Sequence, residues 1–208
     1  MKFSGMISTL SAIALFNQVS GVTTGDPTTG TTDIAELASA PMFWIGTPIP
    51  GGPEVRLTGT AKEILEQIKD INPEWEEAPV PTRSLNEGPT RVKRYFKDRP
   101  TCNLVAGGFA KNVPLFEEVI PYLWRLGATT CGAYRKSCSR VSCAWSSGVE
   151  LCNDRDEEVQ MRCDRIAGAA EEIRLDCGSA NVSMMTWVVK GQWFDTTGYN
   201  VVIRSHNC

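Results

Sequence analysis

The sequence predicts an α+β fold, a two-layer sandwich of sheet and helices held by four disulfides, with a small strand-helix segment in front of it. All eight cysteines of the 208 residues lie between Cys102 and Cys208, so the first 101 residues contain none. In the cysteine-containing half, segments whose apolar residues recur every second position, as in strands, are interspersed with segments where they recur every three or four positions, as in helices. The chain therefore joins two kinds of sequence end to end.

Residues 1–21 have the pattern of a secretory signal peptide. Lys2 supplies the positive start, residues 6–16 are apolar, and small residues precede a predicted cleavage after Gly21. The apolar run is shorter than the roughly 20 residues that a membrane-spanning helix requires. We therefore expect a secreted, extracellular protein without a transmembrane segment.

Residues 22–94 are predicted to form a pro-segment in three parts. Residues 22–40 open with a run of Thr, Gly, Asp and Pro that offers almost nothing to bury, so we expect disorder there. Residues 41–77 are expected to form a strand-helix unit. Residues 78–94 are rich in proline and polar residues, which is typical of an exposed linker that a protease can bind.

The linker ends in the basic pair Lys93-Arg94. This pair resembles the recognition pattern of kexin-type processing proteases, and its position favours removal of the pro-segment. The alternative is a retained N-terminal subdomain, because basic pairs also occur uncut on solvated surfaces.

One helix is predicted within residues 41–77. Thr60 and Glu63 have the spacing of a capping box, and Asn72-Pro73 ends the helix. Its apolar residues form one stripe: Ala61, Ile64, Leu65, Ile68 and Ile71. Because a short amphipathic helix is unstable alone, we expect this unit to cover an apolar surface of the cysteine-rich half, where it either assists folding or masks that surface.

Residues 95–208 predict the order strand, helix, strand, strand, helix, strand. The first elements are a strand at 101–106, a helical stretch from Pro114 that Pro121 kinks and Gly127 caps, and a hairpin of 140–145 with 149–152. A helix from Asn153 or Asp154 to Cys177 follows. The last strand, at 199–204, comes after a turn at 195–198, and residues 187–189 are its expected partner. In the first helical stretch, Phe116, Val119, Ile120 and Leu123 share one face. This order is that of the split βαβ plait, the ferredoxin-like arrangement.

In an exported chain, an even number of cysteines predicts disulfides rather than metal ligands. Cys163 and Cys177 lie on the apolar face of the last helix, so we expect both to bond to strands or loops beneath it. The sequence leaves the full connectivity open. The eight predicted disulfide cysteines are Cys102, Cys131, Cys138, Cys143, Cys152, Cys163, Cys177 and Cys208. No metal or other cofactor is expected.

Several segments of residues 100–208 carry a family resemblance. They are residues 141–143, 151–154, 163–177, 189–192, 194–195 and 199–203. They resemble small secreted cysteine-rich proteins of filamentous fungi, and their layout is similar to the smut-virus killer toxins and the effectors that share that α/β sandwich. The resemblance implies kexin-type processing and non-catalytic action outside the cell, on a surface component of a host or competitor.

Charge and histidine content limit the other function classes. Residues 95–208 contain 13 Lys plus Arg and 13 Asp plus Glu, and an electrostatic hold on nucleic acid needs a basic excess, so no nucleic-acid partner is expected. His206 is the only histidine. The enzymatic alternative is a secreted ribonuclease-type hydrolase with Glu150 as base, His206 as acid and Arg140 as phosphate clamp. A passive cell-wall or surface protein is the third hypothesis.

Two surface features complete the predictions. Asn181 begins an Asn-Val-Ser glycosylation sequon. Trp145, Trp187 and Trp193 offer a platform for a carbohydrate or a partner, but aromatic residues on strands more often belong to the core. We therefore expect core roles for these tryptophans.

Overall fold

A computed structural model describes residues 38–82, 96–183 and 185–208 of the chain. The predicted signal peptide, most of the stretch expected to be disordered and the Lys93-Arg94 pair lie outside the described residues. The described residues form an α+β fold that consists mostly of sheet. None of their helices is long and apolar enough to cross a membrane.

The helices lie between runs of two to four strands along the chain. The strands are β1 (Ala38–Gly46), β2 (Val55–Gly59), β3 (Thr101–Cys102), β4 (Ala110–Lys111), β5 (Thr130–Ala133), β6 (Ser137–Ala144), β7 (Ser147–Asn153), β8 (Val159–Arg162), β9 (Gly178–Asn181), β10 (Thr186–Val189), β11 (Gly191–Phe194) and β12 (Tyr199–Ser205). The helices are α1 (Ala61–Ile71), α2 (Asn112–Pro114), α3 (Ile120–Arg125) and α4 (Cys163–Cys177), and a π-helical turn (Leu115–Val119) joins α2 to α3.

The main sheet has the strand order β3-β11-β12-β7-β6-β1-β5-β8, and β2 also pairs with β1. Within the described ranges its strands pair antiparallel, except that β1 runs parallel to β6. A smaller sheet has the order β4-β10-β9. Helices α3 and α4 pack on each other, and α4 contacts β11 and β12.

One apolar cluster spans both halves of the sequence. It includes Trp44 of β1, Ile64 of α1, Leu123 of α3 and Ile166 of α4, all fully buried. Successive residues of a strand point to opposite faces of a sheet. Thus Leu151 joins this cluster, whereas a second, small cluster lies on the opposite face and consists of Val105, Cys138, Cys152 and Val202.

The strand-helix unit of residues 41–77 is part of this fold. Strand β1 lies between β6 on one side and β5 on the other, and Met42, Phe43 and Trp44 are fully buried. The Thr60 and Glu63 capping box is confirmed, with Asn72 at the C-cap. Of the predicted stripe, only Ile71 is largely exposed, because it lies in the last turn of α1.

The second long helix begins later than predicted. Helix α4 starts at Cys163, whereas the sequence predicted a start at Asn153 or Asp154. Residues 159–162 alternate between buried and exposed positions and pair with β5, so they form a strand. The buried Asn153 amide donates to the carbonyls of Tyr134 and Glu157 and so fixes the loop between β7 and β8.

Three smaller predictions were also wrong. Strand β12 pairs with β7 and β11, whereas residues 187–189 lie in β10 and pair with β9 and β4. The strand predicted at 101–106 has only two residues. Phe116 is exposed and Leu115 is buried in its place, because the π-helical turn rotates the buried face. The Gly127 cap is confirmed, with φ of 63°. At Pro121 the helical backbone is not interrupted, because the π-helical turn continues directly into α3 at Ile120.

Four disulfides lie within residues 102–208: Cys102–Cys177, Cys131–Cys163, Cys138–Cys152 and Cys143–Cys208. The first two tie the ends of α4 to β3 and β5, as expected. Disulfides that close loops of these lengths each stabilise a fold by about 3 kcal/mol. The α+β class and the disulfides are confirmed, while the split βαβ plait is not, because β1 and β5 extend the sheet beyond that arrangement.

We expect cleavage after Arg94 to leave the two pieces associated. Strand β1 pairs with three strands and buries Met42, Phe43 and Trp44, yet no cysteine in the first 101 residues links it covalently to the rest. Protein cut in vitro by a protease specific for Lys-Arg should elute as one species from a native sizing column. It should separate into two bands on a denaturing gel without reductant. Loss of the front piece on the native column would contradict this expectation.

Candidate functional site

A cluster of charged side chains lies on the face of the main sheet opposite to α4. Glu150 of β7 lies between Val149 and Leu151, both in the main core, so its side chain points to the other face. Arg140 of β6 is its direct cross-strand partner. Arg204 of β12 reaches the same carboxylate from the other side. Three neighbouring strands thus bring one carboxylate and two guanidinium groups together.

Glu150 is the centre of this cluster and is only 2% exposed. Arg204 donates to both of its oxygens, from Nε at 2.6 Å and from Nη2 at 3.0 Å. The Nε2 atom of His206 lies 2.9 Å from Oε1. Burial acts to raise the pKa of Glu150, but its interactions with His206 and Arg204 outweigh burial and lower it. Glu150 is therefore an anion at neutral pH.

His206 is held by the C-terminal disulfide. Cys208 bonds to Cys143 of β6, and the His206 backbone N–H donates to the Ser146 carbonyl at 3.2 Å. The ring packs so closely on Gly148 that a Cβ there would come within 2.7 Å of its Cδ2 atom. The Nε2–H direction is not aligned with Glu150, so this contact is an ion pair when His206 is protonated rather than a directed hydrogen bond.

Arg140 and His206 open into a cleft of about 290 Å³. Arg140 Nη1 donates to the Asn207 carbonyl at 2.7 Å, which fixes the guanidinium at the cleft wall. The rest of the lining, here called the front wall, comes from the front of the chain: Ser39, Ala40 and Pro41 of β1, with Gly59, Thr60 and Glu63 around the start of α1. Because β1 runs beside β6, with Pro41 next to Arg140, the two halves of the sequence share this cleft.

Glu63 is the carboxylate that faces the cleft. Its Oε2 accepts from the Thr60 backbone N–H at 2.7 Å and from the Thr60 hydroxyl at 2.9 Å. The Thr60 backbone hydrogen bond is the main reason why the pKa of Glu63 is lowered, and the positive charge of Arg140 adds to it. The cleft therefore combines an anionic carboxylate, a guanidinium and an imidazole.

The three residues of the hydrolase alternative, Glu150, His206 and Arg140, do come together. However, Glu150 does not line the cleft, and both of its oxygens face cationic partners. It is therefore placed to orient His206 rather than to take a proton from a bound molecule.

Sequence reasoning missed two residues of this site, Glu63 and Arg204. Glu63 carried the signal of a helix cap and Arg204 that of a strand residue. Neither local pattern indicates which distant side chains Glu63 and Arg204 contact in the folded protein.

The tryptophans divide between core and surface. Trp193 is buried and stacks on Phe96 with ring centroids 4.6 Å apart, as the core interpretation expects. The core interpretation is wrong for the other two, because Trp145 is 70% exposed and Trp187 is 52% exposed.

Trp145 occupies an unfavourable position. Trp145 and Ser146 form the two-residue turn between β6 and β7, with φ of 49° and 61°. Such turns favour Asn-Gly, because side chains crowd the backbone in the left-handed region. The Trp145 indole Nε1 donates to Glu118 Oε1 at 2.8 Å, which holds the exposed ring in one orientation. A large aromatic residue is thus fixed and exposed where neither turn geometry nor hydrophobicity favours it.

The remaining predicted sites stand as follows. Asn181 ends β9, the edge strand of the smaller sheet, and Val182 beside it is almost fully exposed. Among the described residues, no group of three or more His, Cys, Asp or Glu side chains is arranged to hold a metal ion. The processing pair Lys93 and Arg94 lies outside the described residues.

Comparison of the chain with protein-family models, with curated proteins and with solved structures gives no match.

We expect Glu150→Gln to lower the free energy of unfolding by about 3 kcal/mol at pH 7, because it leaves the Arg204 guanidinium without its buried counter-charge. The pKa of Glu150 is lowered in the folded state, so its stabilisation is present above the unfolded pKa, about 4.3, and is lost as pH falls through the folded pKa. The difference between wild type and variant should therefore shrink below pH 4. Urea unfolding at pH 7 and pH 3.5 measures it.

Glu158→Gln is the matched control. Glu158 also pairs with an arginine at 2.9 Å, but Glu158 and Arg56 are both more than a third exposed. Exposed pairs contribute about 0 to 1 kcal/mol. Equal losses in the two variants would show that the buried cluster has no special weight in stability.

Proposed function

We propose that this chain is a secreted, proteolytically processed, cysteine-rich effector or killer-toxin-like protein that acts by binding outside the producing cell. Its partner is a surface component of a host or competitor cell. Four disulfides are consistent with an extracellular protein. The resemblance of residues 100–208 to fungal killer toxins and effectors supports the toxin-like assignment and the role of a kexin-type protease.

The observation that carries the binding proposal is the exposed, fixed Trp145 at the tip of the β6–β7 hairpin. Strained backbone and exposed aromatic surface both reduce stability, and residues that have both concentrate at functional sites. Tryptophan is also enriched among the few residues that dominate binding energy at interfaces. A structural role would be filled better by Asn or Gly.

The hairpin beneath Trp145 is rigid. Cys138–Cys152 joins its two strands, and Cys143–Cys208 fixes the strand that leads into the turn. A preorganised contact residue loses little conformational entropy when it binds. The hairpin tip is therefore well suited to bind a partner without rearrangement.

A secreted ribonuclease-type hydrolase is the second candidate. The specific observation in its favour is that Arg140 and His206 line one cleft and Glu150 lies against His206. General acid–base cleavage needs a proton donor and a cationic clamp in such a cleft. In this mechanism Glu150 would hold His206, and another carboxylate would accept the substrate proton.

We expect the double substitution Trp145→Asn with Ser146→Gly to abolish binding while raising stability by about 1 kcal/mol, because Asn-Gly suits a turn with two left-handed residues. Fluorescently labelled protein bound to plant, insect and fungal cells gives the binding readout. Thermal unfolding gives the stability readout.

Leu104→Ala is the matched control for this prediction. Leu104 is also highly exposed and apolar, but it follows β3, three strands away from β7 in the sheet. Binding that survives the turn substitution, or is lost equally in the control, would contradict the role of Trp145.

The hydrolase candidate predicts that His206→Ala reduces RNA cleavage by about a hundredfold or more, the contribution typical of a general acid or base. Cleavage of a fluorogenic RNA substrate by the purified protein measures the effect, with Glu158→Gln as a surface control. A wild-type protein without cleavage, or an unaffected His206→Ala variant, would eliminate this candidate and leave the binding proposal intact.

A further inference from the structure

We infer that the cleft between β1, the start of α1 and the C-terminal segment binds a small sugar phosphate through Arg140, His206 and Glu63. The inference deepens the hydrolase candidate, on whose site it rests, because it names the class of ligand and the carboxylate that meets it. It concerns binding and requires no turnover.

The cationic wall of the cleft fits a phosphate group. Within the described ranges, the Arg140 guanidinium uses only Nη1, toward the Asn207 carbonyl, so Nε and Nη2 keep their donors. Planar guanidinium donors match phosphate oxygens in pairs. His206 lines the same part of the cleft, with its Nε2 atom 2.9 Å from Glu150 Oε1 behind it.

The front wall of the cleft, formed by residues of β1 and the start of α1, fits hydroxyl groups. The Glu63 carboxylate accepts hydrogen bonds, and the hydroxyls of Ser39 and Thr60 both donate and accept. A simple anion would meet like charge at Glu63, and a simple cation would meet Arg140. A molecule with an anionic group at one end and hydroxyl donors at the other satisfies both walls.

An α-amino acid is the other small molecule with two unlike ends. Its ammonium group would pair with the anionic Glu63, whose Oε2 already accepts two hydrogen bonds from Thr60. The hydroxyls of Ser39 and Thr60 beside it match sugar hydroxyls instead, and alanine is the competitor that the test must exclude. The volume of about 290 Å³ accommodates a single sugar phosphate rather than an oligonucleotide.

The site is complete only when both halves of the sequence are present. Residues 39–63 provide the hydroxyl and carboxylate wall, and residues 140–206 provide the cationic wall. Cleavage after Arg94 therefore preserves the site only if the front piece stays paired through β1.

The test uses the full secreted chain and ribose 5-phosphate as the probe. His206 is the only histidine, so its imidazole Cε1–H resonance is an unambiguous NMR reporter of the cleft. We expect saturable shifts with ribose 5-phosphate, and at least tenfold weaker binding of inorganic phosphate, ribose and alanine, because each lacks one of the matched groups. Equal affinity for inorganic phosphate, stronger binding of alanine, or no saturable shift with ribose 5-phosphate would overturn the inference.

Variants locate the binding. Arg140→Gln should weaken ribose 5-phosphate binding about tenfold or more, whereas Arg99→Gln, at an exposed arginine outside the cleft, should leave it unchanged. Glu63→Gln keeps a side chain that can cap α1 and should weaken binding severalfold. It should also lower the melting temperature slightly, because the pKa of this carboxyl is lowered in the folded state and its charge therefore stabilises the fold. Unchanged binding in Arg140→Gln would overturn the inference. Ribose 5-phosphate binding without RNA cleavage would eliminate the hydrolase candidate and support this site.

Discussion

The insertion of β1 between β5 and β6 is the constraint on which the rest of the structure depends. This strand joins the disulfide-containing sheet on one side to the β5–β8 pair on the other, and it places Trp44 in the main core. It also brings the start of α1 to the cleft. A segment whose sequence resembles a disposable pro-segment is thus an internal strand, and both its packing and the candidate site depend on its presence.

The disulfides cross-link only the rear half of the sequence, including β5 and β6, the strands on either side of β1. All four lie within residues 102–208, and they fix both ends of α4, the β6–β7 hairpin and the C-terminus. The two features proposed to bind partners use this rigidity in different ways. Trp145 is presented at the tip of a cross-linked hairpin, and His206 is held in the cleft because Cys208 is bonded to Cys143.

The buried charge of Glu150 decides which carboxylate faces the cleft. Glu150 is nearly inaccessible, and its interactions with Arg204 and His206 offset its burial. This pairing removes Glu150 from contact with any bound molecule and fixes the imidazole instead. Glu63, which is stabilised by the α1 cap, is then the carboxylate that faces the cleft. The roles of the two glutamates follow from their surroundings, although their chemistry is identical.

The sequence alone determined the features that depend on near neighbours. These are the capping box of Thr60 and Glu63, the β6–β7 hairpin, the cysteines on one face of α4, and the α+β class. Each depends on residue spacing within one helix or one strand pair, whereas the turn expected at residues 146–148 lies at Trp145 and Ser146. The tertiary structure decided the features that depend on distant pairing: the place of β1, the late start of α4 after β8, and the meeting of Glu63 with Arg140 and His206. Local periodicity cannot specify which strands pair across many residues, since that choice depends on burial in the assembled sheet.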